Sequence, residues 1–150
     1  VTGVQTCALP ICNNPVDCAG GETRDTIPEV LELIAVHPGV HSVVYLGIGI
    51  QANQARLMRE GGFHPGHGLD RIVAYHERQD QRFAEAADEL STRTGKPILV
   101  ATELAVADPA NPGPATVRST GRLCYPSGNR AVAALGHLYR VAEFRRRRGL

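Results

Sequence analysis

The feature that most constrains the fold is an alternation of short apolar runs with longer segments that have apolar residues at helical spacing. Val40 to Leu46 and Ile98 to Ala101 are β-rich runs, and Arg122 to Tyr125 is a third. Leu69 to Leu90 presents one apolar face of a long helix. Strands separated by helices are typical of βαβ units with right-handed crossovers. The sequence therefore predicts a single α/β domain whose parallel sheet has helices on both faces.

Capping and breaking residues predict where the helices begin and end. Thr26 and Glu29 form a capping box, and the helix that they open stops at His37-Pro38-Gly39. Gln51 to Arg59 is a short helix, and Gly95 with Pro97 ends the long one. Asp108 to Pro114 is a proline-rich loop.

The final helix is predicted to begin after Ser127, its N-cap. Its apolar residues recur at helical spacing, which predicts an inner face made of Ala131, Val132, Leu135, Leu138 and Ala142.

Charge and cysteine spacing exclude several classes of protein. The net charge of +1 argues against a nucleic-acid surface, and Arg145 to Arg148 is interpreted as a solvated helix tail. The sequence contains no run of about 20 apolar residues, so no membrane span is predicted. The cysteines lack C-x-x-C spacing, so a zinc site is not expected. Without a secretory signal pattern we expect a cytoplasmic protein in which Cys18 and Cys124 are free thiols.

The segment Val1 to Ile11 has neither helical nor strand periodicity. It resembles the translation of a sequencing-library adapter. Residues 1–12 are therefore interpreted as a non-native artefact, with a disordered tail as the alternative, and residues 13–150 as the domain.

Two glycine-containing turns are candidate sites. Asn14, Pro15, Val16 and Asp17 precede a pair of glycines and form a structural turn motif. The second turn lies where the first buried strand gives way to a helix, where ligands bind in open α/β sheets. Free N–H groups at a helix N-terminus favour phosphate. The residues predicted to bind phosphate there are Gly47, Gly49, Ile50, Gln51, Ala52 and Asn53.

The remaining polar residues give no clear catalytic set. His64 and His67 are interpreted as loop residues rather than metal ligands, because Pro65 and Gly66 break the helical spacing. His76 lies on the apolar stripe of the long helix, and His137 lies beside that of the final helix, so both are predicted to be packed. No nucleophile–base pair and no G-x-S-x-G elbow is present. We therefore predict no catalytic residue and no metal ligand.

Four motifs in register resemble the NDP-forming acyl-CoA synthetases, relatives of succinyl-CoA synthetase. They are N-P-V-D at Asn14 to Asp17, the strand segment Val40 to Val44 after Pro38-Gly39, G-K-P-hydrophobic from Gly95 to Val100, and Y-P-S-x-x-R-A-V from Tyr125 to Leu135. The resemblance covers nearly all of residues 13–148. It implies a flavodoxin-like, Rossmann-like three-layer domain that lacks its first strand and helix.

The resemblance also implies a reaction for the parent enzyme, in which acid, CoA and ATP give acyl-CoA, ADP and phosphate through a phosphohistidine. CoA, ATP and magnesium would bind to partner domains: a CoA-binding domain, a phosphohistidine domain and an ATP-grasp domain. This domain would supply a helix N-terminus, Gly47 to Asn53, that stabilises the phosphohistidine. We expect no cofactor on this fragment, no activity from it alone, no nucleic-acid or membrane partner, and possible oligomers.

Some family features are missing, and two alternatives stay open. The chain has no histidine loop, no CoA-binding turn and no ATP-grasp segment, and residues 63–88 are longer than the family's usual loop and helix. The chain is alternatively a catalytically silent, regulatory region of a protein lysine acetyltransferase. The other alternative is a stand-alone flavodoxin-like binding module.

Overall fold

The computed structural model describes residues 15–17 and 26–150. The predictions for residues 1–12, for Asn14 and for Cys18 lie outside this range. The helices are α1 (Ile27–Val36), α2 (Ile50–Glu60), α3 (Leu69–Thr94), α4 (Leu104–Ala107), α5 (Pro112–Ser119) and α6 (Gly128–Arg147), and the strands are β1 (Val43–Leu46), β2 (Ile98–Ala101) and β3 (Cys124–Tyr125).

The three strands form one parallel sheet in the order β1-β2-β3. Val43 is paired with Ile98 and Leu46 with Ala101, while Val100 is paired with Cys124. Each strand is joined to the next through helices, as parallel pairing requires. The predicted α/β architecture with a parallel sheet is confirmed.

The side chains of alternate residues of the central strand β2 pack in two separate cores, since successive side chains of a strand point to opposite faces. Ile98 and Val100 pack in a larger core with residues of α1, α3 and α5, among them Leu31, Phe83 and Val117. Leu99 and Ala101 pack in a smaller core, whose helical residues come from α6: Ala131, Ala134 and Leu135. All four β2 residues are buried, so this strand is covered on both faces.

Polar contacts close several helix ends. Asn111 caps α5, with its side chain accepting from the Gly113 amide at 3.0 Å, and Pro112 follows at the first helical position. Ser127 caps α6 by accepting from the Arg130 amide. The Lys96 ammonium donates to the carbonyl oxygens of Ala35 and His37, at 2.7 and 2.8 Å, and so satisfies the C-terminal end of α1.

Some predicted boundaries are wrong. Only two residues of the predicted strand Arg122 to Tyr125 pair with β2, because the Arg122 guanidinium turns towards α3 and binds Asp88. The predicted loop Asp108 to Pro114 contains the start of α5, because Asn111 and Pro112 form a helix start. Helix α1 begins after Thr26 as predicted, but the Thr26 side chain makes no capping hydrogen bond to the helix.

The predicted inner face of α6 is only partly correct. Ala131 is fully buried and Leu135 packs on the smaller core, whereas Val132 and Leu138 are more than half exposed and Ala142 is exposed. Val132 follows Ala131 directly and so points to a different side of the helix. For Leu138 and Ala142 the reason is length: 20 helical residues span about 30 Å. A four-residue strand spans only about 13 Å. The C-terminal half of α6 therefore extends beyond the sheet.

Helix α3 is also much longer than the sheet, with 26 residues that span about 39 Å. Its C-terminal half packs on the larger core, while His76, Glu77 and Asp80 of its N-terminal half make polar contacts with α2 and the residue before it. In the described part of the chain, no helix combines the length and the apolarity needed to cross a bilayer.

Candidate functional site

The predicted phosphate turn lies at the carboxyl end of β1, directly before α2. Gly47 and Gly49 both have positive φ, 93° and 94°, a conformation that favours glycine. The Gly47 amide continues the sheet by donating to the Ala101 carbonyl at 3.3 Å. Between the two glycines, Ile48 is completely buried in the larger core. The turn is thus fixed at its centre by an apolar anchor.

The carboxylate of Asp80, from α3, closes the N-terminus of α2. Its Oδ1 accepts from the Gly49 amide at 2.8 Å, and its Oδ2 accepts from the Ala52 amide at 2.7 Å. Asp80 is only 1% exposed, so it binds these amides away from bulk water. A helix N-terminus favours an anion, and here the anion belongs to the chain itself.

The carbonyl side of the turn is held by Asn111, which is also buried. Its Nδ2 donates to the Gly49 carbonyl at 3.1 Å, while its Oδ1 accepts from the Gly113 amide. Asn111 therefore links the start of α2 to the start of α5 through two buried hydrogen bonds.

A second polar contact joins α2 to α3 one helical turn before Asp80. His76 is 4% exposed, and its Nδ1 lies 2.8 Å from Oε1 of Gln51. The packed histidine predicted at this position is confirmed. His137, by contrast, is exposed and contacts Arg140, so the packed position predicted for it is wrong.

Four of the five amides from Gly49 to Asn53 have hydrogen-bond partners within the chain. Asp80 accepts from those of Gly49 and Ala52, the Ile50 amide donates to the Gly47 carbonyl, and the Asn53 amide donates to the Gly49 carbonyl. For these amides to hold a visiting phosphoryl group, Asp80 would have to leave. The phosphohistidine role of this turn stays a prediction, and Asp80 is its competitor.

Burial raises the pKa of the Asp80 carboxyl above its ordinary value, although the amide hydrogen bonds from Ala52, Gly49 and Gln51 act in the opposite direction. Loss of hydration disfavours the charged form, while N–H donors favour it. The direction of the pKa shift means that burial outweighs the amides. Asp80 therefore binds the amides of the turn even though its burial disfavours the charged carboxylate.

The other predicted residues do not join this site. Pro15, Val16 and Asp17 are all exposed. His67 makes an edge-to-face ring contact with Phe63. Among the described residues no group of three or more acidic, histidine or cysteine side chains is placed to hold a metal ion. Burial raises the pKa of the Cys124 thiol, which disfavours a reactive thiolate there.

Sequence reasoning missed Asp80, although a signal was present. Val73, His76, Asp80, Phe83 and Ala87 share one buried stripe of α3. A carboxylate in such a stripe needs buried donors, because an unpaired buried charge is very unfavourable. Suitable donors are N–H groups that have no partner within their own helix, and the start of α2 supplies them.

Comparisons with known proteins add no relative: no protein-family model, no curated protein and no solved structure matches this chain. The family and the function therefore have to be judged from the residues and their geometry.

Proposed function

We propose that the chain is the flavodoxin-like, succinyl-CoA synthetase-like domain of an NDP-forming acyl-CoA synthetase. The parent enzyme would convert an acid, CoA and ATP to acyl-CoA, ADP and phosphate through a phosphohistidine on another domain. CoA, ATP and magnesium would bind to the CoA-binding, phosphohistidine and ATP-grasp domains, which are the partners of this one.

The observation that carries the proposal is the position of the motifs on an α/β fold. The G-K-P motif spans the junction of α3 and β2, where Gly95 has positive φ and the Lys96 ammonium caps α1. The Y-P-S motif spans the junction of β3 and α6, where Ser127 is the N-cap. The parallel order β1-β2-β3 is compatible with one side of a flavodoxin-like sheet.

Within this proposal, the turn from Gly47 to Asn53 is the part that faces a partner domain. It lies at the carboxyl end of β1, the edge at which open α/β sheets bind ligands. Ile50 is 55% exposed there, so the turn has a solvent-facing surface even though its amides are paired. The domain would act by docking at this edge.

The coding sequence next to this chain gives the first test. We expect a CoA-binding domain, a phosphohistidine domain and an ATP-grasp domain in the same or an adjacent gene. The second test measures acyl-CoA formation from acid, CoA and ATP by the parent protein and by the isolated chain. We expect activity from the parent only, and acyl-CoA formation by the isolated chain would refute the proposal.

A second candidate is a catalytically silent, regulatory region of a protein lysine acetyltransferase. The paired amides at Gly49 and Ala52 favour it, since a silent domain has no phosphohistidine to stabilise. An acetyltransferase domain encoded with this chain, together with a partner domain that lacks the phosphorylated histidine, would select this candidate.

A further inference from the structure

We propose that the C-terminal half of α6 binds the surface of an anionic lipid bilayer through a basic-apolar stripe, which consists of Leu138, Val141, Phe144, Arg145 and Arg148. The helix would lie in the plane of the lipid headgroups and would not cross the bilayer. This inference goes beyond the proposed function and does not depend on it. It departs from two expectations drawn from the sequence, a solvated arginine tail and the absence of a membrane partner.

The apolar part of the stripe is exposed because α6 extends beyond the sheet. Leu138, Val141 and Phe144 follow one another at every third residue, so successive side chains are displaced by only about 60° around the helix. Their exposed fractions are 51%, 57% and 54%. Three large apolar side chains that share one side of a helix, and that the domain leaves uncovered, form a surface whose removal from water is favourable.

The same side of the helix carries positive charge. Arg145 and Arg148 lie within about 40° of Val141 around the helix axis. Neither arginine makes an ion pair with a residue that the structure describes, and the Arg148 guanidinium lies 5.0 Å from the centre of the Phe144 ring. The charges of the stripe are therefore not neutralised within the described part of the chain.

The carboxylate of this part of α6 lies on the opposite side of the helix. Residues 140–148 contain five arginines and one acidic residue, Glu143. Glu143 is about 160° from Val141 around the axis, and its carboxylate accepts from the Arg147 guanidinium at 2.7 Å. The stripe therefore presents apolar and cationic groups together without an acidic group. This combination is typical of helices that bind anionic lipid surfaces.

Charge favours a bilayer over a second copy of the chain and over an acidic protein groove. Two copies joined through their stripes would bring four arginines together, and like charges oppose association. A groove reaches only the arginines that border it, whereas Arg140, Arg146 and Arg147 lie on other sides of the helix. A charged plane attracts all five, because the helix diameter of about 10–12 Å is comparable with the Debye length of about 8 Å.

The test measures how much of the full chain sediments with lipid vesicles. Vesicles of phosphatidylcholine with about one-third phosphatidylserine, an anionic lipid, are compared with vesicles of phosphatidylcholine alone. We expect binding to the anionic vesicles only, strongly reduced at about 1 M salt, where the Debye length falls to about 3 Å. Equal binding to both kinds of vesicle, or binding to neither, overturns the proposal.

Arg145→Gln/Arg148→Gln tests the charge of the stripe. Each arginine near an anionic surface raises the partition coefficient about fivefold, so we expect this double variant to bind roughly 25-fold more weakly. Arg71→Gln/Arg78→Gln is the matched control, because it removes the same charge from two exposed arginines of α3. The control should bind like the wild type. An equal loss in the two double variants overturns the proposal, since net charge alone would then determine binding.

Phe144→Ser tests the apolar part of the stripe. We expect it to bind the anionic vesicles about tenfold more weakly, because a large apolar side chain is no longer removed from water. Leu33→Ser, which replaces a 70% exposed leucine of α1, should bind like the wild type. If Phe144→Ser binds as tightly as Leu33→Ser, the arginines act alone and the proposed stripe is wrong.

A fluorescent reporter locates the contact. The chain contains no tryptophan, so Phe144→Trp introduces a single indole into the stripe. Its emission should shift to shorter wavelength on anionic vesicles, and an unchanged emission overturns the proposal. Every substitution replaces an exposed side chain, and circular dichroism without lipid checks that each variant is folded. None of these measurements requires synthetase activity, so this inference and the proposed function fail separately.

Discussion

Gly113 lies so close to Gly49 that a β-carbon on residue 113 would be 2.6 Å from the Gly49 amide nitrogen. The same β-carbon would meet Cα of Gly49 at 2.9 Å, so backbone rather than a flexible side chain would have to move. We expect Gly113→Ala to lower the free energy of unfolding by about 1–3 kcal/mol, as overpacking does. Urea denaturation measures it. Gly62→Ala is the control, since nothing lies within 4 Å of a β-carbon there, and an equal loss in both variants would contradict the steric argument.

Asp80→Asn tests the paired carboxylate oxygens. One oxygen becomes an NH2 group, which then faces a backbone N–H donor at Gly49 or Ala52 instead of accepting from it. We expect the free energy of unfolding at pH 7 to fall by about 1–3 kcal/mol, the cost of a buried unsatisfied donor. Asp70→Asn, an exposed residue in the first turn of α3, should change it by only a few tenths of a kcal/mol. If Asp80→Asn is as stable as the wild type, these hydrogen bonds do not stabilise the turn.

The raised pKa of Asp80 gives a pH dependence with a defined sign. Burial keeps the proton on the folded-state carboxyl at a pH at which the unfolded chain has already lost it. The folded state then binds more protons, so the part of the stability that comes from this proton uptake is complete below about pH 4 and is lost as the pH rises through the folded-state pKa, whereas the hydrogen bonds from the Gly49 and Ala52 amides remain. The stability difference between wild type and Asp80→Asn should therefore shrink as the pH rises. A difference that grows with pH would mean that the amide hydrogen bonds outweigh burial.

Lys96 provides a test of the cap on α1. Its ammonium donates to two carbonyl oxygens, those of Ala35 and His37. Lys96→Met keeps much of the aliphatic length but removes the donors, and we expect it to cost about 1–2 kcal/mol of unfolding free energy. Thermal and urea unfolding measure the loss. Lys96→Arg retains donors and should recover part of the lost unfolding free energy. If both variants are as stable as the wild type, water replaces the Lys96 cap without loss of stability.

Strand β1 is expected to mediate self-association. Among the described strands it pairs with β2 only, its four residues carry no charge, and Leu46 is 59% exposed. An unprotected apolar edge strand is a template for pairing with a second chain. We expect concentration-dependent association in sedimentation velocity, reduced by Leu46→Lys. Leu33→Lys changes a 70% exposed leucine on α1 and should leave association unchanged. A wild-type chain that stays monomeric at high concentration would contradict this prediction.

The sheet was predictable because strands and helices have different periodicities. The predicted runs Val40 to Leu46 and Ile98 to Ala101 each follow a glycine and proline break, and both contain strands, although β1 begins only at Val43. The inner face of α6 was predicted less well, since periodicity indicates which side of a helix is apolar but not how far the sheet beneath it extends. Leu138 shares the apolar side with Ala131 but lies beyond the sheet.

The site was only half predictable for a related reason. The glycine turn was found from local sequence, because Gly47 and Gly49 mark a strand-to-helix junction. The group that closes the turn lies on α3, and the hydrogen bonds from Asp80 join residues 28 and 31 positions apart. No local pattern records that pairing. Only the packing of α3 against α2 brings the carboxylate to the amides.

Because α6 is longer than the sheet, its two halves should differ in how readily they open to solvent. Amide protons near Ala131 are sheltered by the smaller core and should exchange with solvent only when the domain opens. Beyond Leu138 the turns rest on local ion pairs such as Arg147 with Glu143, which contribute only about 0.3–0.5 kcal/mol each. The last two turns should therefore fray independently of the domain, and their amide protons should exchange orders of magnitude faster than those of the second turn, from Ala131 to Leu135.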